Sequence, residues 1–337
     1  MTVAINARAA ARREIGGVER WARELTARLP ELRPERYTVI RPPAGFAHGA
    51  GQLWEQVVLP VAARKAELLL SPANLAPLAS RRNVMLIHDA APFRRSEWYR
   101  RTYGAWHRTV VPYLARRARL VITPSQYTRM ELTERFDLPP ERVRAIAPGV
   151  DSSFRSPGDP APILERLALE RPYVLALGTE GPRKNLGLLD AIAPILANDG
   201  IDVVIAGSTR PYLPESEGGA ARRIGYVPDE HLPALYAGAA VFAMPSLYEG
   251  FGLPCIEAMA AGTPVVASDR SALPEACGGA ALLADPRDPG GFADALIRAA
   301  GSERERLVAA GRERAAGLTW ERTASELDAA LAELLSR

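Results

Sequence analysis

The stretch Ser246–Val266, SLYEGFGLPCIEAMAAGTPVV, decides how the rest of the chain is read. A short apolar run leads into it, Ala239-Ala240-Val241-Phe242-Ala243-Met244, and a run of that length reads as a buried strand. Pro254 suits the first position of a helix, where its missing N–H costs nothing. The order is therefore strand, loop, helix. Within the loop, Gly250 and Gly252 flank Phe251, and glycine lets the main chain approach a ligand closely or take positive φ. The amides of Gly250, Phe251, Gly252 and Leu253 then face whatever the loop holds, and unpaired N–H groups at a helix start favour an anion. Glu257 is expected in the first helical turn. Along a continuous helix it would lie about 12 Å from Glu249, but a glycine turn lets the two carboxylates converge. Such a pair beside an anion site suits a ligand with hydroxyls near a phosphate. The alternative is an ordinary buried strand–helix unit with both carboxylates solvated.

Length and composition set the frame. A chain of 337 residues with 47% hydrophobic residues suggests two domains with a core each. The only cysteines, Cys255 and Cys277, have no metal-ligand spacing and make no disulfide framework, which points to a reducing compartment. The opening MTVAINARAA has no long apolar signal region, and no apolar run approaches the ~18 residues of a membrane span. The expected location is cytoplasmic, with peripheral attachment to the inner face of the cell membrane as the further option. The formal charge of +3 hides an asymmetry: residues 1–155 carry 26 Lys/Arg against 14 Asp/Glu, or +12, and residues 156–337 carry 16 against 25, or −9. That change falls at SSFRSPGDPAP, Ser152–Pro162, which reads as a linker between domains.

In chain order, Thr2–Ala7 reads as a first strand, and Val18, Trp21, Leu25 and Leu29 recur at helical spacing after Gly16-Gly17. That glycine pair is either a plain tight turn or a ligand-facing loop. Residues 37–41 read as a strand, 53–63 as a helix and 68–70 as a strand. The apolar run 84–87 then ends in His88-Asp89, at the carboxyl end of a strand, where open parallel sheets bind their ligands. Between Phe93 and Arg119, Arg94, Arg95, Arg100 and Arg101 are interleaved with Trp98, Tyr99, Tyr103 and Trp106. This is either a solvated basic face or a surface for lipid headgroups. Strands are expected at 120–123, 173–177, 201–206, 264–267 and 281–283. Helices are expected at 126–136, capped by Ser125, and at 185–196, 289–300, 302–316 and 319–335. The loop from Gly178 to Asn185 carries Arg183 and Lys184. Tyr226 and Val227 stand just before a helix spanning 229–236, with Asp229 and Glu230 in its first turn as the dipole prefers.

Extended by two residues, SLYEGFGLPCIEAMAAGTPVVAS closely resembles the Glu-x7-Glu signature of retaining, nucleotide-sugar-dependent glycosyltransferases of family 4. The resemblance covers nearly the whole chain and is strongest from Gly178 to Pro289. It implies an α/β GT-B fold, two facing Rossmann-like domains with a cleft between them. The domains are expected at 1–155, joined by the C-terminal helix 319–337, for the acceptor, and at 156–318 for the nucleotide-sugar donor. By resemblance, Glu249 orients the donor sugar and Glu257 the ribose. Arg183, Lys184 and the loop amides hold the diphosphate, with Gly16, Gly17 and Gly178 near it. The nucleobase lies near Tyr226 and Val227, and His88 reaches the transferred sugar. A departing nucleoside diphosphate gains charge in the transition state, and placed cations stabilise that charge more than they stabilise the bound substrate. No metal, cofactor or nucleic acid is implied. One departure is Pro148-Gly149-Val150-Asp151, where the family usually has Asn-Gly-Val-Asp. WEQVVLP, IHDAAPF and LLADP are similar to bacterial mannosyltransferases, which makes GDP-mannose the first donor expected and a saccharide or lipid-linked diphosphate sugar the acceptor. The alternatives are a dTDP- or UDP-sugar used on a soluble natural product, a GT-B isomerase or phosphorylase, a glycosidase using both glutamates, and a non-catalytic binding module.

Overall fold

The computed structural model describes residues 2–12, 16–46, 51–170, 172–179, 181–207 and 219–336, with residues 45 and 103 described by backbone alone. Residues 13–15, on the approach to Gly16, the loop residue Glu180, and the side chain of Tyr103 lie outside that description. By their internal contacts the residues form two compact units. The first comprises residues up to Ala90, Ala105–Gly149 and Thr319 onward, and the second Ala91–Gly104 and Val150–Leu318. Against the expected boundary at 155/156, the contacts divide the chain at Gly149/Val150 and group Ala91–Gly104 with the second unit.

The first unit holds β1 (Val3–Asn6), α1 (Gly17–Leu32), β2 (Tyr37–Ile40), α2 (Gly51–Ala62), β3 (Leu68–Ser71) and β4 (Asn83–Leu86). The chain then runs through α3 (Ala91–Arg94) into α4 (Arg101–Arg117), β5 (Leu120–Thr123), α5 (Gln126–Phe136) and β6 (Val143–Ala145). Its six strands are parallel in the order β2-β1-β3-β4-β5-β6. β1, β3, β4 and β5 are buried along their whole length, which is why they read as apolar runs rather than alternating ones. With this strand order, the right-handed rule for parallel crossovers assigns α2, α4 and α5 to one face of the sheet and α1 to the other, because β1 to β2 runs against the direction of the later steps.

The second unit opens with α6 (Ala161–Arg166) and β7 (Tyr173–Leu177). It continues through α7 (Leu186–Asn198), β8 (Asp202–Ala206), β9 (Arg222–Gly225), α8 (Leu232–Ala237), β10 (Val241–Met244), α9 (Leu253–Ala260) and β11 (Val265–Ser268). It closes with α10 (Leu273–Cys277), β12 (Leu282–Ala284), α11 (Pro289–Ala300) and α12 (Arg304–Ala316). The strand order is β12-β11-β10-β7-β8-β9, all parallel. Val174, Leu189, Ile192, Val203, Phe292 and Leu296 pack between this sheet and α7 and α11. The last helix, α13 (Trp320–Ser336), belongs to the first unit. There the Trp320 ring stands edge-on to Trp21 at 5.3 Å, and buried Asp328 accepts from Tyr37 Oη at 2.6 Å and Arg36 Nη1 at 2.5 Å.

Several local expectations are corrected. Residues 152–162 are not a plain linker: Ser152–Arg155 is a 3-10 turn whose Phe154 is buried and packs on Tyr236 at 5.7 Å, and α6 starts at Ala161. One deeply placed aromatic ring is enough to dock a segment whose composition otherwise reads as loop. α9 begins at Leu253, one residue before Pro254, so Glu257 falls beyond its first turn. Asp229 and Glu230 belong to a separate 3-10 turn, Asp229–His231, ahead of α8. β9 carries two arginines, a composition that conceals an edge strand, since edges tolerate charge on what would otherwise be a pairing surface.

Candidate active site

β7 and β10 are neighbours in the second sheet and run parallel, so the loops leaving their carboxyl ends lie side by side. The β7 loop turns through the 3-10 segment Pro182–Lys184 and enters α7 at Asn185, whose φ of 53° ends that turn. The β10 loop enters α9 through Gly252 at φ 118°, a left-handed conformation that favours glycine. Asn185 ties the loops together, its Nδ2 donating to Pro245 O at 3.2 Å and Pro286 O at 2.9 Å. The Leu247 amide donates to Arg183 O at 2.9 Å.

Within this frame the two cations meet Glu249. Arg183 Nη1 lies 2.7 Å from Glu249 Oε2 and 3.1 Å from Tyr248 O, and Lys184 Nζ lies 2.8 Å from Glu249 Oε1. The Glu249 amide donates to Ser271 Oγ at 2.8 Å. Burial alone would push the Glu249 carboxyl up, but Arg183 and Lys184 outweigh it and hold it at about 2. Burial also draws the Lys184 ammonium below its ordinary value, against the pull of Glu249. The trio therefore carries a formal charge of +1 in a largely buried setting, with Glu249 at 7% exposure. Gly178 makes room for it: a Cβ there would lie 3.1 Å from the Lys184 Cδ and Cε atoms.

Glu257, at 4% exposure, is held separately, its Oε2 accepting from Tyr236 Oη at 3.0 Å. Gly250 and Phe251 line the turn between the two glutamates. Val227 is buried and Tyr226 is 44% exposed, close behind β9.

His88 lies in the first unit, two residues beyond β4. Its amide donates to Asn74 Oδ1 at 2.8 Å, and its ring stands edge-on to Trp21 at 6.0 Å. Nε2 lies 2.9 Å from Pro72 O, and since a carbonyl only accepts, that nitrogen carries the proton. Burial lowers the ring's pKa from its ordinary 6.5, so the imidazole is neutral at neutral pH and Nδ1 keeps its lone pair. Gly16 caps α1 at φ −110°, its amide donating to Glu19 Oε2 at 3.1 Å. A Cβ on Gly17 would meet nothing within 4 Å, so neither glycine is demanded by a left-handed turn.

Sequence reasoning missed Tyr236, Asn185 and the contact of Arg94, whose guanidinium lies over the Tyr248 ring at 5.8 Å. No spacing in the chain links those partners. Arg95, Arg100 and Arg101 are exposed, and Arg95 pairs with Glu97 at 3.3 Å. Among the described residues no group of three His, Cys, Asp or Glu side chains is placed to hold a metal ion, and no helix is long and apolar enough to cross a membrane.

Two parallel six-stranded Rossmann-like sheets, with paired cations and a carboxylate at the carboxyl ends of adjacent strands, define a glycosyltransferase of the GT-B fold. Residues 171–302 match the family model described as glycosyl transferases group 1, and residues 68–154 match that of glycosyltransferase family 4. The O-antigen chain mannosyltransferase B of Escherichia coli is 34% identical over 256 residues, 71% of this chain and 67% of that protein. The MMP alpha-(1->4)-mannosyltransferase of Mycolicibacterium hassiacum is 31% identical over 263 residues, 74% of this chain and 62% of its own length. The chain thus spans about two thirds of the length of these relatives. Among solved structures, HepE of Anabaena in complex with UDP and glucose superposes with a TM-score of 0.75 at 18% identity, covering 98% of this chain and 99% of that one. The chain belongs to glycosyltransferase family 4.

Proposed function

We propose that this glycosyltransferase is a retaining, metal-independent hexosyltransferase, taking its hexose from a nucleoside-diphosphate sugar and passing it to a saccharide or lipid-linked acceptor in bacterial glycan assembly. The observation that carries the reading is the Arg183–Glu249–Lys184 cluster. An excess of positive charge, buried and preorganised by Glu249, complements a diphosphate whose charge grows as it leaves. When the diphosphate arrives, Arg183 and Lys184 turn part of their pairing to it, and Glu249 is released toward the hydroxyls of the sugar. Glu257 takes the ribose hydroxyls and the exposed face of Tyr226 takes the base. In the transfer, the bond from the anomeric carbon to the phosphate oxygen breaks, and the acceptor oxygen bonds to that carbon on the same face. The acceptor's proton passes to the departing phosphate, so no enzyme nucleophile is required. His88, neutral and fixed through Nε2, accepts a sugar hydroxyl at Nδ1.

GDP-mannose is the first donor because both relatives described above are named mannosyltransferases, and UDP-glucose is the second because HepE was solved with UDP and glucose. A thermal-shift screen with GDP, UDP, dTDP and ADP tests the donor class: one base should stabilise the protein above the rest, and stabilisation by none would sink the reading. The configuration of the product, read by NMR, tests retention, and full activity after chelation with EDTA tests metal independence.

Attachment to an anionic membrane surface has its own support. On α2, Leu53, Val57, Val58 and Val61 are 64, 57, 47 and 60% exposed along one side, and the helix's only acid, Glu55, turns inward to Arg8. Exposed Arg64 and Lys65 follow the helix. On the same face of the sheet, α4 exposes Trp106 and Tyr113 beside Arg108 and Arg116. Apolar and aromatic groups rimmed by cations suit a headgroup layer, and Arg95, Arg100 and Arg101 would add to the attraction.

A further inference from the structure

Tyr236 is completely buried near the end of α8, and more fixes it than packing requires. Its ring is held between Phe154 at 5.7 Å and Phe242 at 5.3 Å. Its carbonyl accepts from Thr263 Oγ1 at 2.6 Å, and the carbonyl of the preceding residue, Leu235, accepts from Tyr173 Oη at 2.6 Å. Tyr173 and Tyr236, both buried, differ in where their hydroxyls go. That of Tyr173 donates to a main-chain carbonyl, the usual way to satisfy a buried phenol. That of Tyr236 donates to the Glu257 carboxylate, on the helix that follows the Glu249 loop. The Glu257 side chain has three rotatable bonds between backbone and carboxylate, and at 4% exposure a donor anchored at ring and main chain removes that freedom for one of its oxygens.

We infer that Tyr236 is a positioning residue of the donor site: its hydroxyl fixes the Glu257 carboxylate so that it meets the ribose hydroxyls of the nucleotide in one orientation. The inference rests on the assignment of Glu257 to the ribose. It extends the site to a residue of α8, and through the Phe154 ring to the segment by which the chain enters the second unit. Orientation by Tyr236 acts on binding of the nucleotide and leaves the departing diphosphate to Arg183 and Lys184. Loss of the hydroxyl should therefore raise the donor requirement without lowering turnover at saturation.

The test compares GDP and UDP, each with its 2′,3′-dideoxy counterpart, by calorimetry on the full chain. The wild type should bind the tighter of the two bases better as the ribonucleotide, and Glu257→Ala should abolish that preference. Tyr236→Phe, which keeps the ring, should weaken the ribonucleotide about five- to tenfold, leave the dideoxynucleotide unchanged, and raise KM for the donor with kcat within about twofold. Phe154→Leu controls for packing: it should lower the melting temperature and keep the ribo-to-dideoxy ratio. If Tyr236→Phe retains the wild-type ratio while Glu257→Ala loses it, the positioning role is overturned and the ribose assignment stands. Equal weakening of both nucleotides would mean a purely structural tyrosine. A wild type that does not distinguish the two nucleotides would overturn the ribose assignment and the positioning role with it.

Discussion

Glu249 and its two cations are held in balance, and that balance has measurable consequences at single residues. Glu249 occupies both cations in the free protein. It therefore competes with a diphosphate for them, and Glu249→Gln should bind a free nucleoside diphosphate as well as the wild type or better, while turning over far more slowly. Calorimetry beside steady-state rates checks this, and a loss of nucleotide affinity would refute it. Arg183→Ala and Lys184→Ala should each lower kcat at saturating donor, by about a hundredfold if they act as placed donors of positive charge. If turnover survives at saturation, the two only anchor. The acid side follows from the same cluster. The Glu249 carboxyl sits at about 2 in the folded chain against an ordinary 4.5. Its ionised form thus contributes stability that is complete above about pH 4.5 and is lost as the pH falls toward 2. The stability gap between wild type and Glu249→Gln, from urea melts, should be flat from pH 5 to 8 and shrink below 4.5.

At the scale of elements, close main-chain approaches set the loops that carry the site. A Cβ on Gly207 would fall 1.9 Å from the carbonyl oxygen of Gly178, so the chain leaving β8 touches the chain leaving β7. Gly207→Ala must move backbone and should cost upwards of about 2 kcal/mol, with the Lys184 loop displaced and activity lowered. Gly187, early in α7, has nothing within 4 Å of a built Cβ, so Gly187→Ala should instead be neutral or stabilise by about 0.5 kcal/mol, as a helical alanine does. Denaturant melts of both variants decide the contrast. Gly252→Ala would meet Leu273 Cδ2 at 2.6 Å in a left-handed conformation, and it should lose activity along with stability.

For the whole molecule, the exposed apolar side of α2 and the arginine-rich surface make one joint prediction. Co-sedimentation with liposomes should rise with anionic lipid content and fall with salt, because each cation near such a leaflet is worth roughly 1 kcal/mol and acts within about a Debye length. Replacing Val57 and Val61 by Ser should weaken binding at every salt concentration. Replacing Arg95, Arg100 and Arg101 by Ser should weaken it mainly at low salt. Binding indifferent to lipid charge and to both sets of changes would mark these surfaces as merely solvated and point to a soluble acceptor.

The sequence by itself determined the fold class, the family and the strands of both sheets that are buried on two faces, because an interior parallel strand is covered on both sides and therefore reads as a short, largely apolar run. It also determined that Arg183, Lys184 and Glu249 stand on strand-to-helix loops. Only the tertiary structure decided what those loops do together. Strand order placed β7 beside β10, and so put two cations on one carboxylate across some 66 positions of chain. The same holds for Tyr236 and Glu257, for Arg94 over Tyr248, and for Phe154, whose segment reads as linker by composition and is docked by one buried ring. The edge strand β9 escaped notice for the converse reason, since its arginines are tolerated only where no further strand pairs with it. Local pattern records how much of an element is buried; which side chains then share a carboxylate is fixed by the pairing of strands distant in sequence, and no local period carries that information.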